Sequence, residues 1–191
     1  MSADLHKNNL SVALLHDKMV DKTGKLVTTS VTLIDVHDIS RSCRTYDVAQ
    51  FFVAHPSQTI RALVRTVKQH WDGDFGSTYN PNRQEALGVL SIVSDLDEAM
   101  VQVERRTGKI PKLVATSAHD GAGRPAYHEF REVLPKTDEE YLLLFGTGWG
   151  MSDELLARAD IILKPIYGPE SYNHLSVRAA CAISLDRLRG R

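Results

Sequence analysis

Apolar segments of strand length alternate with amphipathic segments of helix length along the whole 191-residue sequence. The apolar runs, LSVALL first among them, lie at 10–15, 50–54, 87–93, 112–116, 141–145 and 160–166. Continuous apolar runs are typical of parallel strands that are buried on both faces. Their alternation with helices predicts an α/β fold, in which a mostly parallel sheet is flanked by helices.

Two of the intervening segments have clear helix starts. Ser57 precedes apolar positions at 60, 64, 67 and 71, so we predict a helix with Ser57 as its N-cap. Ser94 with Asp97 resembles a capping box, and it opens a predicted helix that ends at Gly108.

The remaining boundaries are predicted from weaker patterns. Asp38 is the predicted cap of a helix that follows the β-branched segment 26–34. The segment DGDFGSTYNPN at 72–82 has the composition of a loop. The last helix is predicted at about 172–188, with Ser171 or Asn173 as its cap.

Composition predicts one globular domain over residues 1–191, because hydrophobic residues make up 42% and charged residues 25%, without repeats or a linker. No apolar run approaches the roughly 20 residues that span a bilayer. The N-terminal segment MSADLHKNNL lacks the apolar stretch of a signal peptide, so we expect a cytoplasmic protein. Cys43 and Cys181 form no metal-type pair, and a disulfide framework is not expected.

The formal net charge is −1, whereas proteins that coat duplex nucleic acid by charge alone are basic overall. We therefore expect no DNA-binding role, although a local basic patch remains open. Asp35, His37 and Asp38 match no strong metal-site spacing, so no metal is expected. Arg41 and Arg44 are candidates for phosphate contacts, and a solvated helix face is the alternative.

The segment YLLLFGTGWGMSDELL at 141–156 combines an apolar run, three glycines spaced by two and an acidic helix start. A dinucleotide loop would show G-x-G-x-x-G, and a phosphate would disfavour Asp153 and Glu154 in the next helical turn. A neutral or cationic ligand suits this loop better, because glycines let backbone groups approach a flat heterocycle. A tight turn without a ligand is the alternative.

Three stretches together resemble the SPOUT superfamily of S-adenosylmethionine (SAM)-dependent RNA methyltransferases, and the likeness covers nearly the whole chain. DVHDISRSCRTYDVAQFFV is similar to the first motif of the SpoU-type branch, LLLFGTGWGMSDELL to the second, and ILKPIYGPESYNHLSVRAACAISL to the third. More closely, the chain resembles a small bacterial group of such enzymes that are sometimes joined to a tRNA guanine-N1 methyltransferase.

The resemblance implies a C-terminal trefoil knot, a homodimer with SAM sites close to its interface, and a tRNA or rRNA substrate. It places SAM among three loops at 115–121, 145–151 and 166–173. The implied cofactor-binding residues are Thr116, Ser117, Ala118, Phe145, Gly146, Thr147, Gly148, Gly150, Ile166, Tyr167, Gly168, Ser171, Tyr172 and Asn173. Trp149 is expected either to cover the cofactor or to pack at the dimer interface.

The implied catalytic residues are Arg44, Asp35, Asn173 and Ser176, with Arg44 near the target hydroxyl or its phosphate. Asp35 stands where the SpoU-type pattern has Asn, so the acceptor is expected to be either a ribose 2′-oxygen or a base nitrogen, for which Asp35 would serve as the base. The alternative function is a knotted module that binds SAM or RNA and acts with a partner enzyme.

Overall fold

A computed structural model describes residues 8–170 and 172–191 of the chain. Six strands of this described part form one parallel sheet in the order β5-β4-β1-β7-β6-β8. The strands are β1 Leu10–Leu15, β4 Phe51–Ala54, β5 Leu90–Val93, β6 Lys112–Ala115, β7 Tyr141–Phe145 and β8 Ile161–Ile162. The predicted α/β architecture is therefore confirmed, whereas the threading of a knot stays a prediction.

A short antiparallel ribbon and eight helices surround the sheet in the described residues. The ribbon consists of β2 Met19–Val20 and β3 Leu26–Val27. The helices are α1 Leu33–Thr45, α2 Gln58–Asp72, α3 Asp74–Tyr79, α4 Pro81–Gly88, α5 Leu96–Thr107, α6 Tyr127–Val133, α7 Asp153–Leu156 and α8 Val177–Arg189. Across the described ranges, no helix is long and apolar enough to cross a membrane.

Alternate residues of each strand enter two separate cores, as the period of two in a strand requires. Leu10, Val12 and Leu14 of β1 pack on one face with residues of α1, α2, α4, α6 and α8. Ala13 and Leu15 pack on the other face with residues of α5 and α7. The last helix therefore lies on the same face of the sheet as the first.

Cys43 on α1 and Cys181 on α8 are fully buried side by side as free thiols. Burial raises the pKa of the Cys43 thiol, and the neighbouring Cys181 raises it further. Both cysteines therefore serve as small apolar residues where the first and last helices meet.

Of the two clearest predicted helix starts, that of α2 is confirmed and that of α5 is shifted by one residue. The Ser57 hydroxyl accepts from the backbone N–H of Ile60, as predicted. The cap of α5 is Asp95 rather than Ser94, because the Asp95 carboxylate accepts from the Glu98 N–H. Glu98 in turn accepts from the N–H of Ser94, the residue before the cap, at 2.6 Å, so the predicted pairing of Ser94 with Asp97 is replaced by bonds of Glu98 with Asp95 and Ser94.

Other predicted boundaries were wrong. Thr32, not Asp38, precedes the first turn of α1, and Asp38 lies within the helix. The segment 72–82 is largely helical, because Asn80 caps α4 through the Arg83 N–H and Pro81 fits the first helical position.

The last helix begins at Val177, later than predicted, since Ser176 accepts from the Ala179 N–H. Asn173 is not its cap, and Ser171 lies outside the described residues. Strand β8 is also shorter than predicted, since only Ile161–Ile162 pair with β6 out of the segment 160–166.

Candidate active site

The three predicted loops follow three neighbouring strands, β7, β6 and β8, at the carboxyl edge of the sheet. The Asn173 side chain donates from Nδ2 to the Ala118 carbonyl oxygen at 3.0 Å, which joins the third loop to the first. Thr116 donates from its hydroxyl to the Leu144 carbonyl at 2.9 Å, which joins the start of the first loop, after β6, to the end of β7. The fold therefore brings the three loops together at the place where ligands bind in open parallel sheets.

The glycines of the second loop meet two different backbone requirements. Gly148 has φ 61° and Gly150 has φ 115°, a region that favours glycine. Gly146 has no positive φ, but a Cβ there would lie 2.8 Å from Cγ of Met151 and 3.1 Å from Sδ of Met19. Glycine is thus required by a positive φ at Gly148 and Gly150, and by close packing at Gly146.

The β2–β3 ribbon supports this loop from one side. Trp149 donates its backbone N–H to the Val20 carbonyl at 3.1 Å, and Val20 donates to the Gly150 carbonyl at 2.9 Å. The Thr147 N–H points to Sδ of Met19 at 3.2 Å. The backbone of the glycine loop is therefore held in place, while the Trp149 ring is left 62% exposed.

The helix that follows the glycine loop is not built to bind an anion. The Ser152 hydroxyl accepts from the Leu155 N–H at 3.3 Å, which occupies a donor of the first turn. Asp153 and Glu154 place two carboxylates there, and Glu154 pairs with Lys18 at 2.7 Å. A phosphate would meet one occupied donor and two like charges, whereas a cationic ligand meets neither obstacle.

The third loop contacts the first at a second point. The Tyr167 hydroxyl donates to the Asp120 carboxylate, which raises the pKa of Tyr167 and lowers the pKa of Asp120. The Lys164 N–H also donates to the Pro125 carbonyl at 3.0 Å. The Tyr167 ring is 54% exposed and that of Tyr172 77%, so both offer flat apolar surface beside the loops.

The predicted cofactor-binding residues are distributed over these three loops, with Phe145 buried in the core below them. Ser171 lies outside the described residues. The others lie at the ends of β6 and β7 or on the segment after β8, namely Thr116, Ser117, Ala118, Gly146, Thr147, Gly148, Gly150, Ile166, Tyr167, Gly168, Tyr172 and Asn173.

Asp35, a predicted catalytic residue, pairs with an arginine that the sequence analysis missed. Arg178 donates from Nη1 to Oδ1 of Asp35 at 3.0 Å, and its Nε lies 3.7 Å from Oδ2 of Asp38. Asp35 also accepts from the Thr32 hydroxyl, and it is 9% exposed. The ion pair joins the first turn of α1 to the first turn of α8, two residues beyond the predicted Ser176.

A sequence signal for this pair did exist. Arg178 stands in the first turn of a helix otherwise rich in alanine, where the helix dipole disfavours a cation. A cation at that position needs a carboxylate partner. Asp35 and Asp38 supply two.

Arg44, another of the four predicted catalytic residues, lies apart from this group. It belongs to the last turn of α1 and pairs with Glu85 of α4, with Nη2 at 2.5 Å and Nε at 2.8 Å from Oε1. Nine residues separate it from Asp35, which is about 13 Å along the helix axis. Arg41 lies one turn nearer to Asp35, is exposed, and forms no ion pair or hydrogen bond with any described residue.

Two histidines of the predicted site region and its surroundings, His37 and His16, have lowered pKa values. The ring of His37 packs edge-on against Trp71, and burial lowers the pKa of His37. Burial lowers the pKa of His16, at the end of β1, to about 4, although its Nδ1 lies 3.2 Å from the Ala54 carbonyl. Within ranges 8–170 and 172–191, no three His, Cys, Asp or Glu side chains are grouped as a metal site would need.

Comparison with known proteins finds relatives over nearly the whole chain. A family model described as SAM-dependent RNA methyltransferase matches residues 9–190. An uncharacterized protein of Aquifex aeolicus is 38% identical over 183 residues, which cover 96% of this chain and 89% of that one. A tRNA (guanine-N(1)-)-methyltransferase of Nitratidesulfovibrio vulgaris is 44% identical over 182 residues, 95% of this chain but only 42% of that longer one.

Among solved structures, the SpoU methyltransferase AviRb of Streptomyces viridochromogenes, in complex with AdoMet, superimposes with a TM-score of 0.56. The match covers 98% of this chain and 62% of that one at 17% identity. Identity at this level supports the fold alone, which is the predicted parallel sheet flanked by helices.

Proposed function

The chain belongs to the family of SAM-dependent RNA methyltransferases, which confirms the predicted reaction and cofactor, and on this premise we propose that its substrate is tRNA. The support for tRNA is the name of the relative at 44% identity. This chain spans 42% of that relative's length, so the guanine-N1 atom in the name is not transferred with it. The predicted cytoplasmic location is part of the same proposal.

One observation supports the cofactor site above the others, namely the bond from Asn173 to Ala118 that joins the first and third loops beside the glycine loop. SAM, when bound, supplies a methyl group on a positively charged sulfonium. The glycine loop fits such a molecule, because Gly150 faces open space and the next helix starts with Asp153 and Glu154. We assign the adenosine to the backbone of 145–151 and 166–173.

We assign the acceptor to the junction of α1 and α8. The Asp35 carboxylate takes the proton that the acceptor, a ribose 2′-hydroxyl or a ring nitrogen, loses on methylation. Arg178 orients that carboxylate through the 3.0 Å contact. Ser176 and Asn173 fix the approach of the third loop, since one caps α8 and the other bonds to Ala118.

The predicted role of Arg44 at the acceptor phosphate stays a prediction, and its surroundings favour its neighbour on the same helix. Arg44 is paired with Glu85, whereas Arg41 has an unengaged guanidinium nearer to Asp35. A guanidinium without a carboxylate partner is available to a phosphate oxygen. We therefore assign the acceptor phosphate to Arg41.

The homodimer is also part of the proposal. Leu33 and Ile34, in the first turn of α1, are 36% and 54% exposed, and Leu175, just before α8, is 46% exposed. Leu33 and Ile34 precede Asp35 directly and Leu175 lies three residues before Arg178, so exposed apolar side chains adjoin the acceptor site. A second copy of the chain would cover it and bring two sites close together. Sedimentation of the wild type and of Ile34→Glu tests this, and a monomeric wild type contradicts it.

The central test is methyl transfer from labelled SAM to unfractionated tRNA and, separately, to rRNA, combined with calorimetric titration of SAM. We expect SAM binding and labelled tRNA, with no label in rRNA. SAM binding with label in rRNA alone contradicts the proposed substrate. Transfer that requires an added tRNA guanine-N1 methyltransferase supports instead the alternative of a module that acts with a partner.

A further inference from the structure

A recess of about 540 Å³ opens beside the third loop, between α6, α8 and the segment that follows β8. This volume falls within the roughly 300–1,000 Å³ of typical ligand sites. We call it the basic groove. Its lining includes four cationic side chains and one carboxylate, namely Arg131, Lys164, Arg187, Arg191 and Asp186.

None of the four cations of the basic groove forms an ion pair with a described carboxylate. Elsewhere ion pairs engage Lys18 with Glu154, Arg44 with Glu85, Lys109 with Asp138, Lys112 with Glu139, Lys136 with Glu132, and Arg158 with Asp97. In the groove, Arg131 donates to the Gly190 carbonyl, and the guanidinium of Arg187 lies 5.5 Å from the Tyr127 ring centroid. No described carboxylate oxygen lies within 4.0 Å of the charged nitrogens of Lys164, Arg187 or Arg191.

The one acidic residue of the groove is already engaged. Tyr46, on the neighbouring helix α1, donates its hydroxyl to Oδ1 of Asp186 at 3.0 Å, and this bond raises the pKa of Tyr46. With four cations against the one carboxylate of Asp186, the lining of the groove has a net positive charge, in a chain whose net charge is −1. Such a concentration of charge attracts a polyanion to one place on an otherwise neutral surface.

The position of the basic groove relates it to the methyl-transfer site. Lys164 and Tyr167 line the groove, and Tyr167 also belongs to the third cofactor loop. The exposed Tyr167 is thus shared by the lining of the basic groove and the proposed cofactor site. Cations that follow a backbone, with an aromatic ring on which a base can stack, are the combination that binds exposed RNA strands.

We propose that the basic groove binds the phosphate backbone of the substrate RNA, next to the nucleotide that is methylated. The inference rests on the proposed function, because it identifies a binding surface for the same substrate. Lys164, Arg187 and Arg191 contact phosphates, and Tyr167 stacks on a base at the entrance to the cofactor site. The contacts set affinity and register and carry no sequence information.

The test compares the wild type with the double variant Lys164→Gln, Arg191→Gln in binding to unfractionated bacterial tRNA over roughly 50–200 mM salt. We expect the slope of log affinity against log salt to fall in magnitude by about 2, since each lost phosphate contact removes about one. The KM for tRNA rises while kcat and SAM affinity stay unchanged. Arg105→Gln is the matched control, because this exposed arginine lies on α5 at the opposite face of the sheet.

A charge-preserving double variant, Lys164→Arg with Arg191→Lys, restores the slope if charge is what matters. If the wild type methylates tRNA and the Gln double variant has an unchanged salt slope, phosphate binding by the basic groove is contradicted. The proposed function is then unaffected. A wild type that binds tRNA without methylating it contradicts the proposed function, while the slope still decides on the groove. A wild type that does not bind tRNA contradicts both.

Discussion

Arg178 donates to Asp35 at 3.0 Å across 143 residues of sequence, and this contact joins the start of the last helix to the start of the first. Both residues lie at the carboxyl edge of the sheet, near the three loops. The pair has two consequences that can be separated, one for stability and one for catalysis.

For stability, we expect Asp35→Asn and Arg178→Gln to be non-additive. Each single variant leaves one charged group without its partner, so the double variant should cost about 1 kcal/mol less than the sum of the two. Urea unfolding of the four proteins measures this coupling. Additive effects within about 0.3 kcal/mol would show that the pair contributes nothing of its own.

For catalysis, the two variants should differ. Asp35→Asn removes the proposed proton acceptor and should lower kcat roughly 100-fold or more. Arg178→Gln leaves the carboxylate in place but unaligned, so a smaller loss is expected. Labelled methyl transfer with SAM affinity measured in parallel checks this. Equal losses in both variants would make Asp35 a positioning residue only.

Asn173→Ala should weaken SAM binding about tenfold, which corresponds to roughly 1.4 kcal/mol, the upper range for one hydrogen bond. The bond to the Ala118 carbonyl holds the third loop against the first, and its loss separates two walls of the proposed site. Calorimetric titration of SAM measures the change. Asn82→Ala is the control, because Asn82 is exposed on α4, away from the loops. Equal affinity in both variants would refute a role for this bond.

Gly148→Ala should destabilise the protein by about 1–2 kcal/mol, since a side chain at its positive φ is strained. The added Cβ would also lie 3.1 Å from Cγ2 of Thr29. Gly88→Ala provides the contrast, because its Cβ would meet nothing within 4 Å. Thermal unfolding should show a loss for Gly148→Ala and none for Gly88→Ala. Comparable stability of the two variants contradicts the packing described for this loop.

His16 should make the protein less stable in acid. Burial lowers its pKa from 6.5 to about 4 in the folded chain, so protonation favours the unfolded chain. The stabilisation is complete above the unfolded pKa and is lost as the pH falls toward the folded value. The loss between about pH 7 and 4.5 amounts to roughly 2 kcal/mol.

Urea unfolding at the two pH values measures this contribution, with His16→Gln compared against the wild type. The variant should lose about 2 kcal/mol less on acidification, whatever its stability at neutral pH. The exposed His128 serves as control, and His128→Gln should retain the wild-type pH dependence. A parallel pH dependence in His16→Gln and the wild type would assign the acid sensitivity to other groups.

Arg41 and Arg44 allow a direct comparison of two arginines on one helix. We expect Arg41→Gln to lower kcat or raise the KM for tRNA at least tenfold, because its guanidinium is free to contact a phosphate. Arg44→Gln should affect transfer much less, since Arg44 is paired with Glu85 at the far end of α1. SAM affinity should be unchanged in both. The opposite ranking would restore the role that the resemblance implied for Arg44.

The strands and the amphipathic helices could be predicted because their signals are local. LSVALL and YLLLF are apolar at successive positions, and both are fully buried central strands of the sheet. The helix 58–72 follows from its capping serine and apolar spacing. The helices at 74–79 and 81–88 were missed because the segment 72–82 has the composition of a loop. The helix at 81–88 forms nevertheless, because Asn80 caps it and Pro81 fits its first position.

The site could be predicted only in part. The three loops were located because a strand end followed by glycines or by Gly-Pro is visible in the sequence, and the resemblance placed them in one site. The partners were not visible. Arg178 meets Asp35, and Asn173 meets Ala118, from positions 143 and 55 residues apart.

The sequence by itself determined the alternation of buried strands and helices, the glycine loop with its acidic helix start, and the family of enzymes to which the chain belongs. Each depends on the order of residues within a short segment. The tertiary structure decided which polar groups meet, that Arg44 pairs with Glu85 while Arg41 does not, and that cations from 131, 164, 187 and 191 line one groove. Those relationships depend on which strand lies beside which, and the packing of the whole chain sets that order.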